Sequence, residues 1–375
     1  SNDTFEDYGL FTQVEQLNKT ALKAHGLDKS GHLYKVNSFD FHRYEDTIKL
    51  ADDPDYNQAS FEGMLEIKGD SDHTKLIEML DALNDESQKI DNVLDTYFDT
   101  ENLVYWLAFQ ILTGNCDTQN RNCYLYSPLN SNTWYFLDWD NDGMLRKLEL
   151  SLTGFSDYAS WERGVSNYWG NVLFNRALRS KAFRSELDRA VMDLRSYMTE
   201  ARLSKMIKHY REVTESLVFA SPDIDNLPVT KDQYEQIAAA IPSEIEENYK
   251  TFRESFKKPM PFYIGVPQID NGKLRINWDT SYDFEARDIR YTVELSRDYA
   301  ISDVLFKAED VLLPEVTCDA PNAGQYFVRV RATNSDGYTQ DAFDYYVTDD
   351  GKHYGMKCFY VQDGGKVVED TYEEG

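Results

Sequence analysis

The chain changes its hydrophobic period once, and that change constrains its fold more than any other feature. Before about residue 256, apolar residues recur at helical spacing, as in Leu103, Val104, Leu107, Ala108, Ile111 and Leu112. Lys257-Lys-Pro-Met-Pro261 then reads as a linker, because prolines so close together cannot continue a helix. Beyond it the period becomes two: Leu274–Trp278, Arg290–Leu295 and Gln325–Ala332 alternate like strands, with Asp270-Asn-Gly272 and Asn334-Ser-Asp-Gly337 as turns between them. One core cannot serve both patterns. The predicted class is α+β, with a mixed domain over residues 1–258, an all-β sandwich over 259–362 and an acidic tail over 363–375.

Within the first domain, Tyr8–Gln16 alternates like a strand, Lys19–His25 reads as a short helix closed by Gly26, and His32–Val36 as a second strand. Residues 40–72 are polar and irregular. A helix is expected from Thr74, and another starts at Asp99 and stops at Gly114. A β-hairpin follows, with Cys123–Tyr126 and Thr133–Trp139 as its strands. Residues 181–219 read as amphipathic helices, and 230–256 as a helix interrupted by Pro242.

The residues that could do chemistry sit at one end of that hairpin. The loop before it contains Asp117 and Asn122, and its second strand runs out into Asp138-Trp-Asp140-Asn-Asp142-Gly143. Hairpin geometry brings the two ends together, and hard oxygen donors in that number suit Mg²⁺ or Ca²⁺ rather than zinc. Asp117 and Asn122 also have the Asp-x4-Asn spacing of a kinase catalytic loop, where the Asp accepts a hydroxyl proton and the Asn holds metal. Spacing alone leaves two other readings open. Both residues are equally able to cap the helix and hairpin, and Asp138, Asp140 and Asp142 also open like a calcium loop, with Glu149 at its twelfth position.

With 66 acidic against 39 basic residues, the net charge is −27, which repels nucleic acid and anionic membrane. The apolar runs fall well short of the ~20 residues a spanning helix needs. The chain opens Ser1-Asn2-Asp3, without a basic-then-apolar leader, so the natural protein is expected to begin upstream. Cys116, Cys123, Cys318 and Cys358 lack metal-type spacing; Cys116 and Cys123 bracket a short loop and could either be bridged or remain free thiols.

Longer stretches carry a resemblance. Asn102–Asn115, then Asp117, Asn122–Tyr126 and Trp134–Gly143, resemble the central signature of the CotH (spore coat protein H) kinase family, and Tyr8–Gln16 with Gly31–Lys35 resembles its preceding hairpin. The likeness covers roughly residues 5–258. It implies an atypical, reduced protein kinase with N-terminal strands and a helical C-terminal lobe, transferring phosphate from ATP to serine of a secreted or surface protein with Mg²⁺, Mn²⁺ or Ca²⁺. The alternative is a non-catalytic surface binding or adhesion protein on the same scaffold. Carried over by position, Asp117 matches the catalytic Asp, Asn122 the loop Asn, and Asp140, with Asp142, the metal-binding acids. Trp134 is a candidate for stacking on adenine, Lys35 for the phosphates, and Glu15 as an anchor for a phosphate-contacting lysine. The family's upstream β-structure and covering loop are expected before Tyr8. The tail resembles a fibronectin type III (immunoglobulin-like) domain with Trp278 and Tyr326 in its core, which implies an extracellular or cell-surface location, with polysaccharide-associated partners conceivable there.

Overall fold

A computed structural model describes residues 6–154, 159–349 and 351–370. Among these, ten α-helices and several antiparallel sheets make a mixed α+β chain. Two compact units separate: Ser1–Ser156 with Asn171–Lys250, and Asp157–Gly170 with Thr251–Gly375.

In the first unit, helix α1 (Lys19–Ala24) starts where Asn18 accepts from the Thr20 and Ala21 amides. Strand β1 (His32–Val36) follows. Residues 40–72, expected to be irregular throughout, contain α2 (Gln58–Met64) and β2 (Leu65–Ile67). Helices α3 (Thr74–Asn84), α4 (Ile90–Tyr97) and α5 (Thr100–Thr113) lead into β3 (Cys123–Ser127) and β4 (Tyr135–Asp138). The sheet order is β2-β1-β3-β4, antiparallel throughout. Its two faces are unlike. Leu33, Tyr124 and Tyr126 pack against Leu22 of α1 on one side, while Tyr34, Leu125 and Phe136 on the other face the helical core. Trp106 of α5 meets Phe136 at 4.9 Å between ring centres.

Tyr8–Gln16 is not a strand. Its alternating residues find no sheet edge among the described residues, and Tyr8, Phe11 and Val14 are exposed. The segment is held by the Leu10 amide donating to Asp223. Helices α6 (Lys147–Thr153), α7 (Val172–Arg179), α8 (Lys181–Tyr197) and α9 (Glu200–Val218) follow. Helix α10 (Lys231–Ser255) runs on through Pro242, so that proline removes one backbone donor without interrupting the helix.

Beneath β1 lies a buried imidazole. His73, fully enclosed, has Tyr34 Oη at 2.8 Å from Nδ1 and Tyr56 Oη at 3.2 Å from Nε2, and it stacks on Phe61 at 4.1 Å. Burial holds its pKa at about 4, below the ordinary 6.5. The folded state therefore resists a proton that the unfolded chain accepts, so this contribution is whole above pH ~6.5 and lost as pH falls through ~4. The shift corresponds to about 3 kcal/mol. Thermal unfolding of wild type and His73→Phe across pH 4–7 should converge towards the acid end, and parallel profiles would refute the assignment.

The second unit contains β5 (Gln268–Asp270), β6 (Lys273–Asn277), β7 (Ile289–Ser296), β8 (Val304–Val311), β9 (Glu315–Asp319) and β10 (Gly324–Asn334), followed by β11 (Thr339–Asp341), β12 (Tyr345–Thr348), β13 (Gly351–Tyr354), β14 (Met356–Val361) and β15 (Val367–Glu369). One sheet runs β15-β14-β10-β7-β8, with β11 on β10, and another runs β5-β6-β9. Both supply a shared apolar core containing Leu274, Ile276, Trp278, Val293, Val328, Val330 and Phe359. Trp278 meets Tyr291 at 5.2 Å. Trp278→Ala in the full chain should destabilise this unit by roughly 3–5 kcal/mol, read as an earlier unfolding transition by tryptophan fluorescence and calorimetry.

Candidate functional site

Helix α5 begins at Asp99, whose carboxylate accepts from the Asn102 amide, and ends at Gly114, φ 67°. A Cβ at Gly114 would lie 2.7 Å from Asn248 Nδ2, which donates to the Leu112 carbonyl, so glycine serves both the left-handed turn and the close approach. The loop that follows is fastened at several points. The Asn115 amide donates to the Gln110 carbonyl and the Phe39 amide to that of Asn120. Asn171 Nδ2 donates to the Gln119 carbonyl.

Asp117 and Asn122 come together. Asn122 Nδ2 donates to Asp117 Oδ2 at 2.9 Å and to its carbonyl at 3.2 Å, which leaves Oδ1 as the amide atom it can offer a cation. Arg121 Nε stands 3.5 Å from Asp117 Oδ1. Partial burial raises the Asp117 carboxyl above the usual range; Arg121 and Asn122 pull it down, and the charges of Asp142 and Asp140 push it up. The charges of the 140–142 turn thus reach Asp117.

Tight backbone geometry brings that turn close. Asp140 and Asn122 are both left-handed, at φ 54° and 59°, a region that Asp and Asn tolerate better than most residues. A Cβ on Gly143 would lie 2.6 Å from Asn115 Oδ1, so only glycine lets the turn approach the loop this closely. The Leu145 amide then donates to the Thr113 carbonyl. Asp138 Oδ1, at the end of β4, accepts from Gln110 at 3.0 Å. Glu149 is paired with Arg146, which removes the twelfth ligand of a calcium loop.

The remaining expected residues lie elsewhere. Trp134 is 1% exposed, with its ring 6.1 Å from both His32 and Tyr34, so it has no face open to an adenine. Alternation aimed Trp134 and Phe136 into the core, and only the chain beyond β4 turns outward. Glu15 is paired with His25 at 2.7 Å rather than with a lysine. Lys35 sits across from Glu66 and Tyr124 with its ammonium 5.6 Å from the Trp139 ring centre, beside the hairpin end that carries Asp140. Cys123 is a free thiol inside β3, pushed well up by burial, so the bridge to Cys116 is not formed. Arg121, Asn115, Asn141 and Gln110 were missed; Arg121 had a signal, as a cation inside the Asp-x4-Asn loop.

The CotH kinase protein family model matches residues 2–252. The chain belongs to that family. No curated protein matches it. Among solved structures, it is similar to the Twitchin kinase region from C. elegans (Fn31-NL-kin-CRD-Ig26), at 19% identity and a TM-score of 0.19, over 25% of this chain and 20% of that one. The match therefore spans a fifth of that chain's length.

In this CotH-family chain the donors near Asp117 are hard oxygens, the type that Mg²⁺ and Ca²⁺ take. Among the described residues, no group of three or more His, Cys, Asp or Glu is closed onto one point. Donor type therefore fits a divalent cation, and the mutual repulsion felt at Asp117 shows negative charge that a cation would neutralise. Asn122→Gly and Arg121→Ala should each raise the Asp117 titration midpoint, and Asp142→Asn should lower it. Carboxyl carbon-13 NMR reads all three shifts directly; a midpoint indifferent to the three changes would mean that these groups do not act on Asp117.

Proposed function

We propose that the chain is a CotH-type phosphotransferase that moves the γ-phosphoryl group of ATP to a serine hydroxyl of a secreted or surface protein. The observation that carries this reading is the Asp117–Asn122 hydrogen bond, in a fastened loop coupled to the Asp140–Asp142 turn. Asp117 accepts the hydroxyl proton as the serine oxygen attacks the γ-phosphorus, the bond to the bridging oxygen breaks, and ADP leaves. Asn122 Oδ1 and the Asp140 and Asp142 carboxylates would hold the divalent cation, Mg²⁺ or Mn²⁺. That cation, when bound, neutralises the β- and γ-phosphates. Arg121 adds a fixed cation beside the reacting centre, and Lys35 a second one near Trp139.

For the C-terminal region we propose a fibronectin type III-like module over residues 259–362. Two sheets on one core support it, as does Tyr326, whose hydroxyl donates back to the Asn322 carbonyl at 2.9 Å in the manner of a tyrosine corner. Such a module suits an exported protein with an extracellular or surface partner. Among the described residues, no helix is long and apolar enough to cross a membrane.

Titration calorimetry with Mg²⁺-ATP and a serine phosphorylation assay test the kinase reading. Asp140→Asn keeps a residue that tolerates the left-handed backbone and should weaken Mg²⁺-ATP binding by tenfold or more. Asp117→Asn should leave that affinity within about twofold while kcat falls roughly 10²–10⁴-fold. Wild-type protein that neither binds Mg²⁺-ATP nor transfers phosphate would leave the non-catalytic binding-protein reading in its place.

A further inference from the structure

We propose that Gln110 is the positioning residue that fixes the Asp117 loop against the Asp140 turn, an inference that rests on the phosphotransfer reading above. Gln110 lies in the last turn of α5 and is 0% exposed, among apolar neighbours such as Leu107 and Ile111. Packing there calls for a residue like leucine. An enclosed amide is costly unless its donors and acceptor are satisfied, so its presence needs a polar reason.

The hydrogen bonds supply that reason. Gln110 Nε2 donates to Asp138 Oδ1 at 3.0 Å and to Asn141 Oδ1 at 3.2 Å. Its Oε1 accepts from Asn115 Nδ2 at 3.0 Å, and Asn115 Nδ2 also donates to Asn141 Oδ1 at 3.3 Å. Asn115 Oδ1 in turn accepts from the Asp117 amide at 3.3 Å. One side chain on a rigid helix thus grips both halves of the site: Asn115 and Asp117 on one side, Asp138 and Asn141, which bracket Asp140, on the other. Asp138 Oδ1 and Asn141 Oδ1 both face the nitrogen of Gln110, and Asn115 Nδ2 faces its oxygen. Turning the amide over would set oxygen against oxygen at two contacts, so a single arrangement survives. Neither Gln110 nor Asn115 need touch a substrate for this role. Phosphoryl transfer depends on the base and the phosphate-neutralising groups being held at a set separation, and a helix-borne clamp supplies that more firmly than either loop alone.

The test exchanges donor for acceptor. Gln110→Glu keeps the side chain's shape but turns an oxygen toward Asp138. The double variant Gln110→Glu/Asp138→Asn restores complementarity at position 138, because the new amide there donates to the new carboxylate, while the contact with Asn141 stays unmatched, so recovery is partial. Hydrogen exchange by mass spectrometry should show amides of 115–122 and 141–145 opening roughly tenfold more readily in the single variant, with β10 unchanged, and recovering in part in the double variant. In the kinase assay the single variant should lose tenfold or more in kcat at nearly constant KM, again recovered in part in the double variant. Gln110→Met, similar in shape and without donors, should behave as the single variant does if Gln110→Glu fails to fold. Unchanged exchange in either loop, a wild-type kcat in the folded single variants, or a double variant no better than Gln110→Glu would overturn the proposal. A wild-type protein that transfers no phosphate would instead overturn the phosphotransfer reading, and the exchange data alone would then decide whether the clamp exists.

Discussion

Helix α5 ends inside the first unit, and its last carbonyls cannot rely on solvent for partners. An α-helix leaves its final carbonyl groups unpaired, and burying them without donors costs on the order of 1–3 kcal/mol each. Here the donors are the Gly114 amide, Asn248 Nδ2 on the Leu112 carbonyl, the Asn115 amide on that of Gln110 and the Leu145 amide on that of Thr113. Two of these, Asn115 and Leu145, belong to the loop carrying Asp117 and the turn carrying Asp140. Capping the helix and assembling the acidic site are therefore one structural event, and neither loop can leave without exposing a helix end.

The same arrangement explains how a strongly acidic chain tolerates more acid at one place. The charges of Asp142 and Asp140 push the Asp117 carboxyl up, and among the described residues Arg121 stands beside it as an ion-pair partner. In a site built for stability, such repulsion would be relieved by a further base or by distance. It is instead held in place by two left-handed residues and by Gly143 pressed against Asn115. Left-handed backbone and neighbouring carboxylates gathered at one spot are features that cluster at functional sites.

Much of this was legible in the sequence, and the failures have physical causes. Asp99 and Gly114 bound α5 as a capping residue and a left-handed stop should, and the Asp-x4-Asn loop before the hairpin did place Asn122 on Asp117. Period-two alternation identified β1 and β3 but also marked Tyr8–Gln16, where no pairing strand is present among the described residues; alternation records a side-chain pattern and carries no information about a partner. Trp134, expected to stack on adenine, instead lies on the core face with Phe136, and Asp140 lies past the strand in a left-handed turn. Gln110, Asn115 and Asn141 lie inside the stretches that carry the family resemblance, but nothing in the spacing singled them out. Their importance arises from which side chains meet across about 30 residues of chain, and only tertiary packing shows that.

Hairpin register converts these local facts into a site. Cys123 pairs with Asp138 at the open end of β3 and β4, so Asn122 and Trp139 are the first residues beyond the ladder on either side. The far end is locked separately: Lys75 donates its ammonium to Ser127 Oγ and to the Pro128 and Ser131 carbonyls, clamping the connecting turn. A slip of one residue would move one loop about 3.3 Å along the other and turn Phe136 out of the core. It would also carry Asp138 away from Gln110 and separate Asp117 from the charges that now act on it. The core face of β4 thus enforces the register, the register fixes how the two loops face each other, and the buried amides at the end of α5 close the last gap between them. Side chains that never meet a substrate in this arrangement determine the geometry of those that would.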